Sequence, residues 1–437
     1  MKRIFPPYAY GHGPRDGCWW DETAAAPDWP VPADDMTADV AIVGAGFTGL
    51  SAALHLAEAG VSVVVFEAES PGWGASGRNG GFCCLGGAAL SETAMARRFG
   101  AQEAAAYSRA EVEAVNLVAD LLQRLGINAD THSRGETRLA HNRRAMERLR
   151  REAASEEGAE LTEAADLAAK GLGGGFLGAL TTPVGFALNP RKYLFGLAEA
   201  AQAAGARLFQ QSPVRSIARQ TGHFTLAAGE AQLRAGTVLI ATNGYSSEDV
   251  PGWLAGRYMP AQSTVLVTRP LSDHELAAQG WTSDQMAYDT RNLLHYFRLM
   301  PDRRFLFGMR GGLTSSAQAE RRIRQRVQRD FRAMFPAWGA VSVTHSWSGM
   351  VCLSRALVPH VGPVPGEPGM FAALAYHGNG VAMGSFAGRL LADLALGRRP
   401  EPSWPAPMRA PLPRFPLGRA RRALMPPAYA ALAMGDL

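Results

Sequence analysis

Ala38-Asp39-Val40-Ala41-Ile42-Val43-Gly44-Ala45-Gly46-Phe47-Thr48-Gly49 opens the most informative stretch of this chain, which continues to Glu67. An apolar run (ADVAIVG) leads into a glycine turn, a helical stretch (FTGLSAALHLAEAG) follows, and a second apolar run (VSVVVFE) closes a βαβ unit. A bare G-x-G-x-x-G is often only a turn, but after a strand and at the start of a helix it marks a dinucleotide site. Gly44 lets the chain turn sharply, Gly46 lets a pyrophosphate approach the backbone, and Gly49 lets the helix sit close to the strand. The amides around Ala45, Phe47 and Thr48 face the phosphates from the helix N-terminus. Glu67, followed by Ala68, ends the second strand about 20 residues on and supplies an acceptor for ribose hydroxyls.

At 437 residues the chain exceeds what one hydrophobic core supports and suits two intertwined domains. Apolar residues make up 47% and charged residues 19%, a globular balance that excludes a disordered chain. The net charge of +5 comes almost wholly from arginine, lysine occurring only at positions 2, 170 and 192. These basic residues are spread along the chain without interleaved aromatics, so no nucleic-acid partner is expected. Cys18, Cys83, Cys84 and Cys352 have no metal-ligand spacing, which predicts a reduced, cytoplasmic chain without a metal. With no apolar h-region near Met1 and no charge-free apolar stretch of about 18 residues, neither an export signal nor a membrane span is expected. Oligomeric state leaves no mark in the sequence.

Outward from the βαβ unit, residues 1–37 read as an arm lying over a domain surface and carrying little chemistry. Residues 91–170 have helical spacing, with helices at 111–125 and 143–157, and predict helices rather than strands. A loop at 171–175 precedes a helix at 190–203 and strands at 206–217 and 237–242. The β-rich stretch 259–308 predicts an antiparallel sheet, followed by an arginine-laden helix at 319–335. The chain then returns through 347–362 and a strand at 370–376 to a helix at 380–396 that packs on the opening unit. The expected division is an arm (1–37), a discontinuous nucleotide-binding domain (38–90, 180–258 and 341–400), a substrate domain (91–179 and 259–340) and a Pro- and Arg-rich strap (401–437).

Which dinucleotide binds is decided at Gly74-Ala75-Ser76-Gly77-Arg78-Asn79-Gly80-Gly81. An NAD-binding chain would proceed to another βα unit, whereas a small-residue loop with one cation suits an elongated pyrophosphate and a flavin. GAGFTGLSAALHLAEAG, the acidic strand end and GWGASGRNGG together resemble the D-amino-acid oxidase superfamily of flavoproteins, specifically its γ-glutamylputrescine oxidase-like members. The resemblance covers most of the chain. It implies an α/β architecture, a Rossmann-like FAD-binding domain interleaved with an α+β substrate domain that carries an antiparallel sheet. It also implies that the backbone of Val214, in GARLFQQSPVRSI, contacts adenine. Ala241-Thr242-Asn243-Gly244, similar to the family's A-T-N-G turn, would pass the cofactor again.

Late in the chain, Tyr376-His377-Gly378-Asn379-Gly380-Val381 precedes a helix. Hydride arrival at flavin N5 places negative charge on the N1–C2=O edge, and a helix N-terminus with open glycine amides aimed there would stabilise it. Amine oxidation by a flavin asks little acid–base chemistry of the protein. His377 is therefore either a proton acceptor or a residue that orients the backbone. Tyr288, Tyr296, Arg298, Trp347 and Tyr376 are candidate walls for a cationic amine, whose charge suits aromatic faces. Tyr296 and Arg298 join His377 as the candidate catalytic set.

Departures from the family narrow the chemistry. Carboxylate-binding members carry a G-x-R-P stretch whose arginine clamps the substrate; here Gly349-Met350-Val351-Cys352 stands in its place, and Val351 cannot do so. Leu353-Ser354-Arg355 instead resembles the L-S-R of the γ-glutamylputrescine oxidase group, where Arg355 could restore a cation from a shifted position. Gly349 falls where sarcosine oxidase-like relatives attach FAD through a cysteine, and Cys352 is offset from it, so non-covalent FAD is expected. No lysine follows Lys192 to activate oxygen, which leaves O2 or an electron carrier as acceptor. The expected reaction is FAD-dependent oxidation of a small primary or secondary amine to an imine that hydrolyses to an aldehyde. Oxidation of a D- or N-alkyl amino acid is the alternative, and a non-catalytic or RNA-modifying flavoprotein a third.

Overall fold

The opening βαβ unit forms as strand Met36–Val43, helix Phe47–Glu58 and strand Val63–Phe66. All four residues of the second strand are buried, as a parallel strand covered on both faces requires. In the computed structural model, which describes residues 1–400 and 403–436, these two strands lie inside an eight-stranded sheet. Its main path runs His360–Pro363, Met370–Leu374, Ala231–Ile240, Met36–Val43, Val63–Phe66, Arg207–Phe209. The His360–Pro363 pairing is antiparallel and the other four along this path are parallel. Residues from both ends of the chain thus complete one nucleotide-binding sheet.

One face of this sheet is covered by helices Phe47–Glu58, Pro190–Ala203 and Ala382–Ala395, with Ala101–Arg124 packed outside them. Helices Phe47–Glu58 and Ala382–Ala395 touch closely: a Cβ on Gly388 would lie 2.3 Å from the Thr48 carbonyl oxygen, and Ser51 Oγ donates to the Ser385 carbonyl at 2.7 Å. The opposite face packs on Val250, Leu254 and Tyr258 and on Leu412 of the strap.

A second eight-stranded sheet runs Val343–Leu353, Met259–Thr268, Phe305–Arg310, His295–Leu299, Met286–Asp289, Glu136–Leu139, Gly178–Thr182, Glu160–Glu163. Helix Ala317–Met334 covers its outer face through Ile323, Val327 and Phe331, which pack on an aromatic cluster of Phe297, Phe305, Phe307, Phe335 and Trp338.

Several expectations are corrected here. The stretch 91–170 contains strands Glu136–Leu139 and Glu160–Glu163 as well as helices; at four residues each they are too short to print a period of two against helical surroundings. Helix Ala101–Arg124, expected with the substrate domain, packs on the nucleotide-binding side, because Ala110, Ala114, Val118 and Leu121 form one apolar stripe. Strand Val343–Leu353, expected with the nucleotide-binding domain, is an edge of the second sheet, and Gly178–Thr182 also belongs there. That sheet is not wholly antiparallel: Met286–Asp289 and Glu136–Leu139 run parallel. The single strand expected at 206–217 is two, Arg207–Phe209 and Val214–Gln220, parted where Gln211 takes a positive φ of 50° ahead of Pro213.

The strap is anchored rather than loose. Arg421 is fully buried, pairs with Glu248 at 2.7 Å and donates to the Tyr258 carbonyl. Residues 401, 402 and 437 of the expected strap lie outside the described residues. Among the described residues, no helix is long and apolar enough to cross a membrane.

Candidate active site

Between the two sheets lies a cavity of about 490 Å3. At one end the glycine turn shapes it. Gly44 has φ 102°, and a Cβ there would sit 2.9 Å from the Ala241 carbonyl oxygen; a Cβ on Gly49 would lie 1.9 Å from the Gly44 carbonyl oxygen. Gly49 therefore sits under the turn and does not border the cavity, whereas Gly44, Ala45, Gly46, Phe47 and Thr48 do. Glu67 borders it too, accepting from the Ala45 amide at 3.1 Å and the Glu69 amide at 3.2 Å. Burial raises its carboxyl pKa against the opposing pull of these amides. Ala68, Val214, Ala241 and Thr242 complete this end.

The small-residue loop runs along the middle. Gly74, Ala75, Ser76, Arg78, Asn79 and Gly80 border the cavity, and Ser76 Oγ accepts from the Phe47 amide at 3.0 Å. Gly81 stands behind them, its amide donating to Asn79 Oδ1 and its carbonyl accepting from Leu188. Gly244 is also set back, packed on the Val351 backbone, and Gly349 borders the cavity beside Arg78. Arg78 is 2% exposed, donates to the carbonyls of Trp73 and Ser348, and leaves Nη2 without a partner among the described residues. The Tyr245 hydroxyl is likewise buried without one, and both residues border the cavity. A cavity with a glycine floor, an acid at the ribose position and unanswered buried donors fits a bound dinucleotide.

Gly378, Asn379, Gly380 and Val381 lead into helix Ala382–Ala395, whose first turn has no side-chain cap, and all four border the cavity. Tyr376 joins this segment to the glycine-turn helix through a 2.9 Å hydroxyl pair with Thr48. His377 also borders the cavity, with φ 50°. Its Nδ1 lies 2.8 Å from the Gly87 carbonyl and its Nε2 3.2 Å from the Ser354 amide. Burial holds its pKa down at about 4. With Nδ1–H donating and Nε2 accepting, no lone pair remains to take a substrate proton, so the candidate catalytic role of His377 gives way to an orienting one.

Two expected substrate walls are displaced. Arg298 does not border the cavity: it donates to the carbonyls of Gly80 at 3.0 Å and Leu188 at 2.8 Å and meets His132 Nε2 at 2.9 Å. It ties strand His295–Leu299 to the 74–81 loop and to the chain just ahead of helix Pro190–Ala203, and burial lowers its pKa to about 9. Trp347 is fully buried beside Trp20 and donates to the Arg78 carbonyl. Arg355 is exposed and donates to the Arg414 carbonyl, away from the cavity. Tyr288, Tyr296 and Tyr376 do border it; the Tyr296 hydroxyl pairs with Ser263 at 3.0 Å.

The cavity also holds residues that the sequence reading missed. Arg3 and Tyr10 of the arm border it, stacked on each other at 4.4 Å, so the arm does more than cover a surface. Glu136, from one of the overlooked strands, and Arg310, which donates to the His377 carbonyl at 2.9 Å, lie at the second-sheet side. Arg3 and Tyr10 carry no local signal. Glu136 and Arg310 become candidates only once their strands are known to turn the same face inward.

This chain belongs to the DAO family of FAD-dependent oxidoreductases, whose family model matches residues 39–394. It is 30% identical over 369 residues to gamma-glutamylputrescine oxidoreductase of Escherichia coli (strain K12), covering 83% of this chain and 85% of that protein. It is also 30% identical over 370 residues to the probable oxidoreductase OrdL of Haemophilus influenzae, covering 82% and 83%. Among solved structures, glycine oxidase from Geobacillus kaustophilus shares the fold at a TM-score of 0.71 and 21% identity, with 87% of this chain and 99% of that one covered.

Proposed function

We propose that this FAD-dependent enzyme oxidises a small primary or secondary amine, giving an imine that hydrolyses to an aldehyde. Bound in the cavity, FAD would supply the two-electron acceptor for the hydride that the substrate carbon loses as its nitrogen loses a proton, and water would then replace the imine nitrogen. The chain's own residues hold the amine and exclude water from it. Tyr288, Tyr296 and Tyr376 offer aromatic faces to it. The observation that carries this reading is Val351, an apolar residue on the cavity wall, at the position where the resemblance implies an arginine in carboxylate-binding members. Likeness to gamma-glutamylputrescine oxidoreductase supports the same substrate class. The glycine turn, the 74–80 loop, Val214 and the 378–381 segment would hold FAD, without a covalent bond.

Oxidation of a D- or N-alkyl amino acid is the second reading, and one observation favours it: Arg310 also borders the cavity and could take a carboxylate. Anaerobic bleaching of the flavin by a panel of amines and amino acids separates the two. Amines alone, or amines much faster, are expected; bleaching by amino acids only rejects the amine reading. Repeating turnover with O2 and then with a dye acceptor tells oxidase from dehydrogenase in this proposed cytoplasmic enzyme.

A further inference from the structure

Glu136 shares one face of the second sheet with Tyr288, Tyr296, Ser263 and Arg310. The registers Arg138↔Tyr288, Tyr288↔Tyr296, Tyr296↔Gly308 and Ser263↔Arg310 put them there, and all five border the cavity. Glu136 is 6% exposed and forms no ion pair among the described residues. Arg138, the next cation on that face, is already held by Glu152 and Glu156 at 2.6 Å each. Among the described residues, only the Tyr288 hydroxyl, at 3.5 Å, and the Cys84 thiol reach the carboxylate. A second carboxyl, Glu156, adds negative potential, and Glu136 in turn raises the pKa of Glu111.

A buried carboxylate near another acid and with no cation bonded to it is disfavoured as an anion until a positive group arrives. A substrate ammonium is such a group, and the phenol ring of Tyr288 offers the same charge a second partner. The reacting amine is a poor fit, since it must be neutral to release hydride and a carboxylate would keep it protonated. We propose that Glu136 binds a second, non-reacting ammonium of the substrate, so that the enzyme selects amines bearing a distant cation over simple alkylamines. This inference rests on the amine-oxidation reading and names the substrate class within it.

The test is anaerobic bleaching of the FAD-loaded enzyme by 1,4-diaminobutane and by 1-aminobutane, which share a chain length and differ in the second charge. Wild type is expected to bind the diamine about 10- to 100-fold more tightly, the range of one charge-assisted hydrogen bond. Glu136→Gln is expected to bring that ratio close to one. The wild-type ratio should also grow as pH rises through about 7, the value to which burial lifts the Glu136 carboxyl. The groups facing it are Cys84, Glu111, Tyr288, Arg138 and Glu156, of which Glu111 is itself lifted to about 8. If the Gln variant does not fold, this wild-type pH dependence decides alone.

A wild-type ratio near one, a ratio unmoved by Glu136→Gln, or a variant slowed equally on both amines would overturn the proposal, the last by making Glu136 a base. Failure of both amines while an amino acid bleaches the flavin removes the amine reading and this inference with it. Bleaching by both amines without preference leaves the amine reading standing and removes Glu136 alone.

Discussion

His377 shows how a single side chain changes meaning once its neighbours are known. A histidine beside a flavin loop reads either as a base or as a residue that orients the backbone, and the second reading fits, since both ring nitrogens are answered by backbone groups at 2.8 and 3.2 Å. His377→Asn is therefore expected to lower turnover by less than about 10-fold and to leave the pH profile in place; loss of an ionisation from that profile would restore it as a base. Arg298 makes the opposite case, an apparent substrate ligand that is a buried fastener. Arg298→Met should cost about 3 kcal/mol in urea unfolding, by leaving two carbonyls without donors. It should also raise the pKa of His132, which burial and the adjacent guanidinium hold at about 4, a shift visible by NMR titration. The glycines of the turn were legible because each one answers a close approach, Gly44 of the Ala241 carbonyl, Gly46 of the Ser76 hydroxyl and Gly49 of the Gly44 carbonyl. Glu136 and Arg310 were not, since nothing in the residues around them says which way a short strand faces.

Elements were legible in proportion to their length and regularity. The helix expected at 190–203 forms as Pro190–Ala203, with Asn189 Oδ1 accepting from two amides at its start. The four-residue strands at 136–139 and 160–163 were lost among helices; the first carries Glu136 inside the second sheet, between Met286–Asp289 and Gly178–Thr182, and the second forms that sheet's edge. Where two long helices cross, Gly388 sets the spacing against Thr48 and Ser51. Gly388→Leu is expected to push them apart, costing about 1–3 kcal/mol or more and weakening FAD retention, read by urea unfolding followed through protein and flavin signals. An unchanged midpoint would show that the crossing tolerates a side chain.

Across the molecule, the interleaving of domains was legible in outline because motifs for one cofactor lie more than three hundred residues apart, from Gly44 to Gly380. Assigning helix Ala101–Arg124 or strand Val343–Leu353 to a domain required knowing which apolar surface each one meets. FAD held without a covalent bond should raise the melting temperature with its free concentration and remain in the supernatant after acid precipitation; a yellow pellet would point to attachment. Cys352 is poorly suited to that, since burial pushes its thiol up to about 12. The bond between Thr48 and Tyr376 carries a consequence for biosynthesis. A nascent chain paused on the ribosome before strand Met370–Leu374 and helix Ala382–Ala395 would already expose the phosphate-binding turn, yet lack the two elements that close around it. Capture of the vitamin-derived prosthetic group waits until both have been synthesised, and until then the unfinished sheet is exposed to chaperones and proteases.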